Sequence, residues 1–228
     1  MEKRFMKGCE AIAEAAIRGG CRFFAGYPIT PQNEIPEYFA RRMPEVGGIF
    51  LQGESEVASI NMVNGAAFGG TRSMTSSSSC GISLKAEGVS QAASDHLPVV
   101  ICSVMRGGPG LGPITGSQQD YWQATKAHGN GGYKLLVFTP ESVQEAVDMT
   151  YHAWDYAEKY RNPVMILIDG VIGVMMEPIE LPDMVSDAFL AENKAAKKAE
   201  YAVGPRNGRT EKHPINISDG DRSEERRV

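Results

Sequence analysis

Along most of this chain, segments in which apolar residues recur at helical spacing alternate with short apolar segments typical of strands. Apolar residues at helical spacing, bounded by glycines or capping residues, predict helices. These are residues 7–19, a segment beginning at Thr30-Pro31, 55–68, 82–93 and 142–160. Short apolar, often β-branched runs predict strands at 22–25, 48–52, 72–76, 97–104, 134–138 and 163–169. Strands separated by helices imply an α/β fold, a doubly wound and mainly parallel sheet with helices on both faces.

Several helix starts carry capping signals. Thr30 is suited to an N-cap, and Pro31 suits the first helical position that follows it. Ser55 or Glu54 is expected to cap the helix over 55–68. Thr139 or Ser142 is expected to cap the helix over 142–160.

The composition changes near residue 188. Residues 188–228 hold nine Lys and Arg against seven Asp and Glu, a net charge of +2, whereas residues 1–187 carry −7. Large apolar side chains are nearly absent after Tyr201, so this stretch cannot bury a core of its own. We therefore predict one α/β domain over 1–187 and a charged C-terminal tail over 188–228 that is disordered or truncated.

Charge and cysteine content exclude several classes of function. The net charge of −5 gives no global attraction to nucleic acid or to an anionic membrane. The chain has no apolar run of about 18 residues and no signal-peptide pattern, so a cytoplasmic protein is expected. The four cysteines form no C-x-x-C pair, and the four histidines show no metal-ligand spacing. Reduced, mostly buried thiols are expected, with no iron–sulfur cluster or metal held by this chain alone.

The segment GYPITPQNEIPEYF, residues 26–39, places Thr30 directly after a predicted strand. The carboxyl ends of the strands are where open α/β sheets bind ligands. An ordinary β-to-α connection with a capping threonine explains the same pattern.

Two acidic residues, Glu54 and Glu56, stand at the start of the helix over 55–68. They are either functional carboxylates or charges that interact favourably with the helix dipole. The small residues of 65–70 indicate that another element packs close to this helix, and a helix of a neighbouring subunit is one such element.

Arg106 ends a predicted buried strand and precedes a loop with five glycines between 107 and 116. A guanidinium there is suited to a bidentate grip on a carboxylate or a phosphate, although a surface arginine is an equal alternative. The glycines match no nucleotide-binding motif well. The serine run in SMTSSSSCGISL, residues 73–84, either lines a polar pocket or is a polar turn at a helix start.

Five segments in this order resemble the α subunits of the 2-oxoacid:ferredoxin oxidoreductases. They are GYPITPQNEIPEYF, LQGESEVASINMVNGAAFGG, MTSSSSCGISL, VMRGGPGLG and YRNPVMILIDG. The resemblance covers about residues 4–182 and is greatest to the enzyme for 3-methyl-2-oxobutanoate (2-oxoisovalerate), with the 2-oxoglutarate enzyme as the alternative. It implies the pyrimidine-type domain of the thiamine diphosphate-binding fold.

The resemblance also implies roles for residues. Glu56, rather than Glu54, corresponds to the glutamate that binds the aminopyrimidine of thiamine diphosphate, beside the backbone of Tyr27, Pro28 and Ile29. A carboxyl group on the pyrimidine ring nitrogen favours the imino tautomer, which removes the thiazolium C2 proton. Thr30 and Arg106 are implied to contact the substrate, with Arg106 on its carboxylate. Gly65, nine residues after Glu56, also resembles the pattern in other thiamine enzymes.

The resemblance finally implies a heteromeric complex that decarboxylates a 2-oxoacid, forms acyl-coenzyme A and reduces ferredoxin. The cofactor diphosphate with Mg²⁺, and the iron–sulfur clusters, are expected in partner subunits: a diphosphate-binding β subunit, a γ subunit and a ferredoxin-like δ subunit. Family members continue into a second α/β domain, which residues 188–228 do not resemble. A truncated, non-catalytic assembly module of the same fold is therefore a further alternative, and a nucleotide binder that uses the glycines of 107–116 is another.

Overall fold

The computed structural model describes residues 2–126 and 128–200. Its helices are α1 (Gly8–Arg18), α2 (Glu34–Arg42), α3 (Glu56–Phe68), α4 (Ser79–Ser94), α5 (Tyr121–Lys126), α6 (Val143–Tyr160), α7 (Gly170–Val174) and α8 (Asp187–Glu200), with a short 3₁₀ turn at Pro44–Val46. Its strands are β1 (Glu2–Lys7), β2 (Phe23–Gly26), β3 (Ile49–Gln52), β4 (Ser73–Ser77), β5 (Val100–Met105), β6 (Leu136–Phe138), β7 (Val164–Asp169) and β8 (Met176–Leu181).

Six of the strands form a parallel sheet in the order β3-β2-β4-β5-β7-β6. The order reverses beside β2, because β3 lies on one side of it and β4 on the other. Such a reversal opens a crevice at the carboxyl ends of the two adjacent strands between which the order changes. The predicted α/β class is confirmed.

Alternate residues of the central strands belong to two hydrophobic cores, one on each face of the sheet. In β5, Val100, Cys102 and Val104 pack with α1 and α6, whereas Ile101 and Met105 pack with α3 and α4. Both faces are therefore covered by helices, which explains why β5 reads as a continuous apolar run.

Two caps are as the sequence predicts. The Ser55 hydroxyl accepts a hydrogen bond from the Ala58 amide at 3.1 Å, and Ser142 accepts one from Glu145 at 3.1 Å. Thr30, however, is not an N-cap, so that prediction is wrong. Residues 30–33 form a turn in which the Gln32 amide bonds to the Ile29 carbonyl at 3.1 Å, and α2 begins only at Glu34.

Two further features differ from the sequence-based expectation. β1 pairs with β8 in an antiparallel two-stranded sheet, which no local pattern predicts because the partners are far apart in the chain. In the predicted tail, residues 188–200 belong to α8 rather than to irregular chain, and residues 201–228 lie outside the described residues.

Candidate functional site

The predicted site residues converge where the sheet order reverses. Thr30 follows β2, Glu56 begins the helix that follows β3, and Arg106 follows β5. The first turn of α4, which follows β4, lies between Glu56 and Arg106, because its residue Cys80 contacts the arginine and its next residue, Gly81, contacts the glutamate. The structure therefore brings these three predicted residues to one place.

Arg106 is almost fully buried, with 6% of its surface exposed. Its Nη1 donates to the Thr30 carbonyl at 2.9 Å, and its Nη2 donates to the Leu111 carbonyl at 2.7 Å and to Cys80 Sγ at 3.1 Å. Its Nε is buried and has no hydrogen-bond partner within the described part of the chain. Arg106 is thus not a free surface arginine: it is braced at the site and retains an unused donor.

Glu56 is the first residue of α3, and only 6% of its surface is exposed. Its Oε1 lies close to Gly81 of α4, where an added Cβ would be 2.8 Å from that oxygen and 2.1 Å from Ser77 Oγ. Glu54, two residues earlier, is exposed. The sequence pattern alone does not distinguish Glu54 from Glu56. In the structure Glu54 is exposed, whereas Glu56 is buried and faces the site.

Two serine hydroxyls next to the start of α4 have no hydrogen-bond partner in the part of the chain that the structure describes. The hydroxyls of Ser77 and Ser78 are buried and have no hydrogen-bond partner among residues 2–126 and 128–200. The Glu56 carboxyl and the Ser77 hydroxyl pack so closely against Gly81 that no side chain fits at this position. These unpaired hydroxyls and the carboxyl are donors and acceptors of the kind that the ring nitrogens and amino group of an aminopyrimidine need.

Strand β4 braces the segment of Tyr27, Pro28 and Ile29 from one face of the sheet. Gln32 is fully buried, accepts a short hydrogen bond from Ser76 Oγ, and donates to the Tyr27 carbonyl at 3.1 Å. Pro28 is exposed at the tip of this segment, whereas Tyr27 and Ile29 are half-buried. The serine run thus has a positioning role that its composition alone does not reveal.

The opposite face of β4 carries a buried lysine contact. Lys85 of α4 has no exposed surface, and its Nζ donates to Thr75 Oγ1 at 3.0 Å and to the backbone carbonyl of Glu56 at 3.2 Å. Burial lowers the pKa of Lys85 to about 7, while the Glu56 carboxyl acts in the opposite direction.

Asp120 connects two sides of the site. Its carboxylate is buried, accepts a hydrogen bond from Ser79 Oγ at 3.0 Å and another from the Arg106 amide at 3.3 Å. It therefore ties the start of α4 to the end of β5.

The glycines after Arg106 are explained by backbone packing. At Gly112, where φ is +58°, an added Cβ would be 1.7 Å from the Gly107 carbonyl oxygen, so only glycine permits this approach. The folded loop carries the Leu111 carbonyl to Arg106. A phosphate-binding role is not needed to account for these glycines.

A groove of about 550 Å³ lies beside this loop, at the carboxyl ends of β5 and β7. Its lining includes the carboxylates of Glu141 and Asp169, together with Tyr121. Two carboxylates make the groove unsuited to an anion such as a diphosphate.

Three of the four free cysteines, Cys9, Cys21 and Cys102, are buried as expected. Burial raises the pKa of the Cys21 and Cys102 thiols to about 12. Within the described ranges no group of three His, Cys, Asp or Glu side chains is arranged to hold a metal ion. No helix there is both long enough and apolar enough to span a membrane.

The sequence interpretation missed Lys85, Gln32 and Asp120. A signal for Lys85 exists, because it shares a helix face with the apolar residues Ile82 and Val89. For Gln32 and Asp120 no local signal exists, since their partners come from distant segments.

The chain is similar in sequence to a known protein family. Residues 14–225 match the family model described as pyruvate flavodoxin/ferredoxin oxidoreductase, thiamine diphosphate-binding. The ketoisovalerate oxidoreductase subunit VorB of Methanothermobacter thermautotrophicus is 50% identical over 183 residues, which are 80% of this chain and 52% of that protein. The 2-oxoglutarate synthase subunit KorA of Methanocaldococcus jannaschii is 45% identical over 201 residues, which are 87% of this chain and 55% of that protein.

A solved structure has the same fold. It is the 2-oxoglutarate:ferredoxin oxidoreductase from Magnetococcus marinus with 2-oxoglutarate, coenzyme A and succinyl-CoA bound. The TM-score is 0.76 at 36% sequence identity, covering 79% of this chain and 32% of that one. The chain spans about half the length of the curated relatives it matches.

Proposed function

Because the chain belongs to the thiamine diphosphate-binding family of the pyruvate flavodoxin/ferredoxin oxidoreductases, we propose that it binds the aminopyrimidine of thiamine diphosphate in a heteromeric 2-oxoacid:ferredoxin oxidoreductase. The observation that carries this proposal is the buried Glu56 carboxyl, which lies beside Gly81 and the unpaired hydroxyl of Ser77. Glu56 holds the pyrimidine ring nitrogen through a hydrogen bond, and the backbone of Tyr27, Pro28 and Ile29 lies beside the ring.

When bound, thiamine diphosphate supplies a nucleophilic thiazolium carbon and an electron sink for decarboxylation. Arg106, which is held at the site by its bonds to the Thr30 and Leu111 carbonyls, orients the substrate carboxylate. Because the carboxylate leaves as CO₂, this contact serves mainly to position the substrate. Thr30, whose carbonyl accepts a hydrogen bond from Arg106 Nη1, contacts the substrate as well.

The rest of the reaction belongs to partner subunits in this proposal. A β subunit binds the diphosphate and Mg²⁺, and a γ subunit and a ferredoxin-like δ subunit complete the complex. The iron–sulfur clusters of the partners carry electrons to ferredoxin, and coenzyme A accepts the acyl group. The acidic groove beside the glycine loop supports a separate site for the diphosphate. The complex acts in the cytoplasm.

We infer that the substrate is a branched-chain 2-oxoacid, with 2-oxoglutarate as the alternative. Supporting the first is the identity of 50% to the ketoisovalerate oxidoreductase subunit, against 45% to the 2-oxoglutarate synthase subunit. A substrate panel decides between them. The full chain is co-expressed with its partner subunits, and the rate of ferredoxin reduction is compared for 2-oxoisovalerate, 2-oxoglutarate and pyruvate.

The role of Glu56 is tested in the same complex. Glu56→Gln is expected to lower the 2-oxoacid-dependent rate at least ~100-fold, the usual scale for loss of a general acid–base contact. Glu54→Gln is the matched control, because Glu54 is exposed, and it is expected to retain the wild-type rate. Full activity of Glu56→Gln would remove this residue from the mechanism. Failure of the complex to bind thiamine diphosphate in calorimetry would favour the non-catalytic assembly module.

A further inference from the structure

Helix α4 contacts α3 through a stripe of three residues spaced along one face: Gly81, Lys85 and Gly88. An added Cβ at Gly88 would be 2.5 Å from the Ile60 side chain, and one at Gly81 would be 2.8 Å from the Glu56 carboxyl. The two glycines therefore let the helices approach closely, and Lys85 lies between them.

Lys85 joins three elements at this contact. From α4, its Nζ reaches the backbone carbonyl of Glu56, the first residue of α3, at 3.2 Å. The same nitrogen reaches Thr75 Oγ1 in the middle of β4 at 3.0 Å. The first turn of α3 is thereby attached to the strand that leads to the serines of the site.

A lysine is an unfavourable choice for packing alone at this position. Its side chain is fully buried, and its two hydrogen-bond acceptors are neutral oxygens. The nearby Glu56 carboxyl favours the ammonium group, but burial outweighs it, so the cost of desolvation is only partly offset. An apolar side chain of similar length, such as methionine, fills the same volume without that cost. Fold stability therefore does not explain the lysine.

We propose that Lys85 is a positioning residue, which holds the first turn of α3 against β4 so that the Glu56 carboxyl meets the pyrimidine ring at the correct place. Gly81, one turn earlier on α4, leaves room for that carboxyl, while Lys85 fixes the backbone that carries it. This inference rests on the proposed function, since it assigns Lys85 a role toward the same cofactor.

The test measures proton exchange at C2 of bound thiamine diphosphate, a step that depends on Glu56 and precedes substrate turnover. The full chain is assembled with its partner subunits and cofactor, and the deuterium exchange rate is followed by NMR after acid quenching. The variants are Lys85→Met, Thr75→Val and their combination, with Glu56→Gln as the positive control. Lys159→Met on α6, an exposed lysine, is the matched control.

Lys85→Met and Thr75→Val are each expected to slow C2 exchange about tenfold to a hundredfold, as a small displacement of a catalytic group does. The double variant is expected to be no slower than Lys85→Met, because both single changes break the same bridge. In the chain without cofactor, amides of the first turn of α3 are expected to exchange faster in both variants, while the melting temperature of Lys85→Met does not fall. Thr75→Val is nearly isosteric and decides the outcome if Lys85→Met fails to fold.

Wild-type exchange rates in Lys85→Met and Thr75→Val, with a slow Glu56→Gln, would overturn the role of Lys85 and leave the proposed function standing. The role of Lys85 would also be overturned if the fold-decreases in exchange rate of the two single variants multiplied in the double variant, since independent effects exclude a shared bridge. If Glu56→Gln itself exchanges at the wild-type rate, the proposed function fails, and the inference about Lys85 fails with it.

Discussion

Arg106 donates a hydrogen bond from Nη1 to the backbone carbonyl of Thr30 across 2.9 Å, although 76 positions separate the two residues in the chain. This bond joins the end of β5 to the turn after β2. It makes the position of Thr30 dependent on the arginine.

Arg106→Lys is expected to raise the KM for the 2-oxoacid about tenfold to a hundredfold, with a smaller change in kcat. A single ammonium cannot reach the Thr30 and Leu111 carbonyls and a substrate carboxylate together, and one lost charge-assisted bond costs about 1.5–3 kcal/mol. Steady-state kinetics of the assembled complex measure the effect. Arg41→Lys, an exposed change on α2, is the control. An unchanged KM would exclude Arg106 from substrate binding.

Gly81→Ala is expected to lower the affinity of the complex for thiamine diphosphate and to destabilise the chain. Glycine-to-alanine changes inside helices usually stabilise them by up to about 1 kcal/mol. Here the new Cβ would lie 2.1 Å from Ser77 Oγ and 2.8 Å from Glu56 Oε1, so one of these groups must move. Calorimetric titration and thermal unfolding measure the two effects. A stabilised variant with wild-type affinity would contradict the placement of Glu56 against α4.

Gly65→Ala separates packing within the chain from packing between subunits. An added Cβ there has no atom within 4 Å in the described part of the chain, so the melting temperature of the isolated chain is expected to rise slightly. If a partner subunit covers this exposed face of α3, the same change is expected to weaken assembly. Analytical ultracentrifugation of the variant with its partners measures assembly. Unimpaired assembly would show that no partner packs tightly at Gly65.

Gln32→Glu is expected to destabilise the chain by about 1–3 kcal/mol at neutral pH, because an ionised carboxylate would face the Tyr27 carbonyl without a proton to donate. Protonation restores the donor, so the deficit is expected to shrink as the pH falls toward 5. Urea unfolding at both pH values measures this difference. Gln52→Glu on the exposed strand β3 should show no such pH dependence. An equal deficit at both pH values would indicate that the Tyr27 contact is not the cause.

The stability of the wild-type chain is expected to rise with pH above 7 because of Lys85. Its pKa is lowered to about 7 in the folded chain and is about 10.4 when unfolded, so between these values the unfolded state binds more protons. Below pH 7 the buried ammonium group lowers the free energy of unfolding by on the order of a few kcal/mol. This destabilisation disappears as the pH rises toward 10. Lys85→Met should lose this pH dependence. Urea unfolding between pH 6 and 9 provides the comparison, and identical slopes would show that Lys85 does not titrate in this range.

The sequence predicts the parts of this protein that depend on neighbouring residues. Apolar periodicity identifies the alternating strands and helices of the main sheet, and Ser55 and Ser142 cap their helices through bonds three residues away. The alternation also puts Thr30, Glu56 and Arg106 at the carboxyl edge of a parallel sheet, since every such strand ends on the same side.

Only the tertiary structure decides the contacts between distant segments. Three such contacts join residues far apart in the chain: the pairing of β1 with β8, the hydrogen bond that Ser76 donates to Gln32, and the one that Lys85 donates to the Glu56 carbonyl. Thr30 carries every local sign of an N-cap, yet its carbonyl is held by Arg106 and the helix begins later. The physical reason is that local preferences are small, whereas a buried polar group must find a partner wherever the packed chain supplies one.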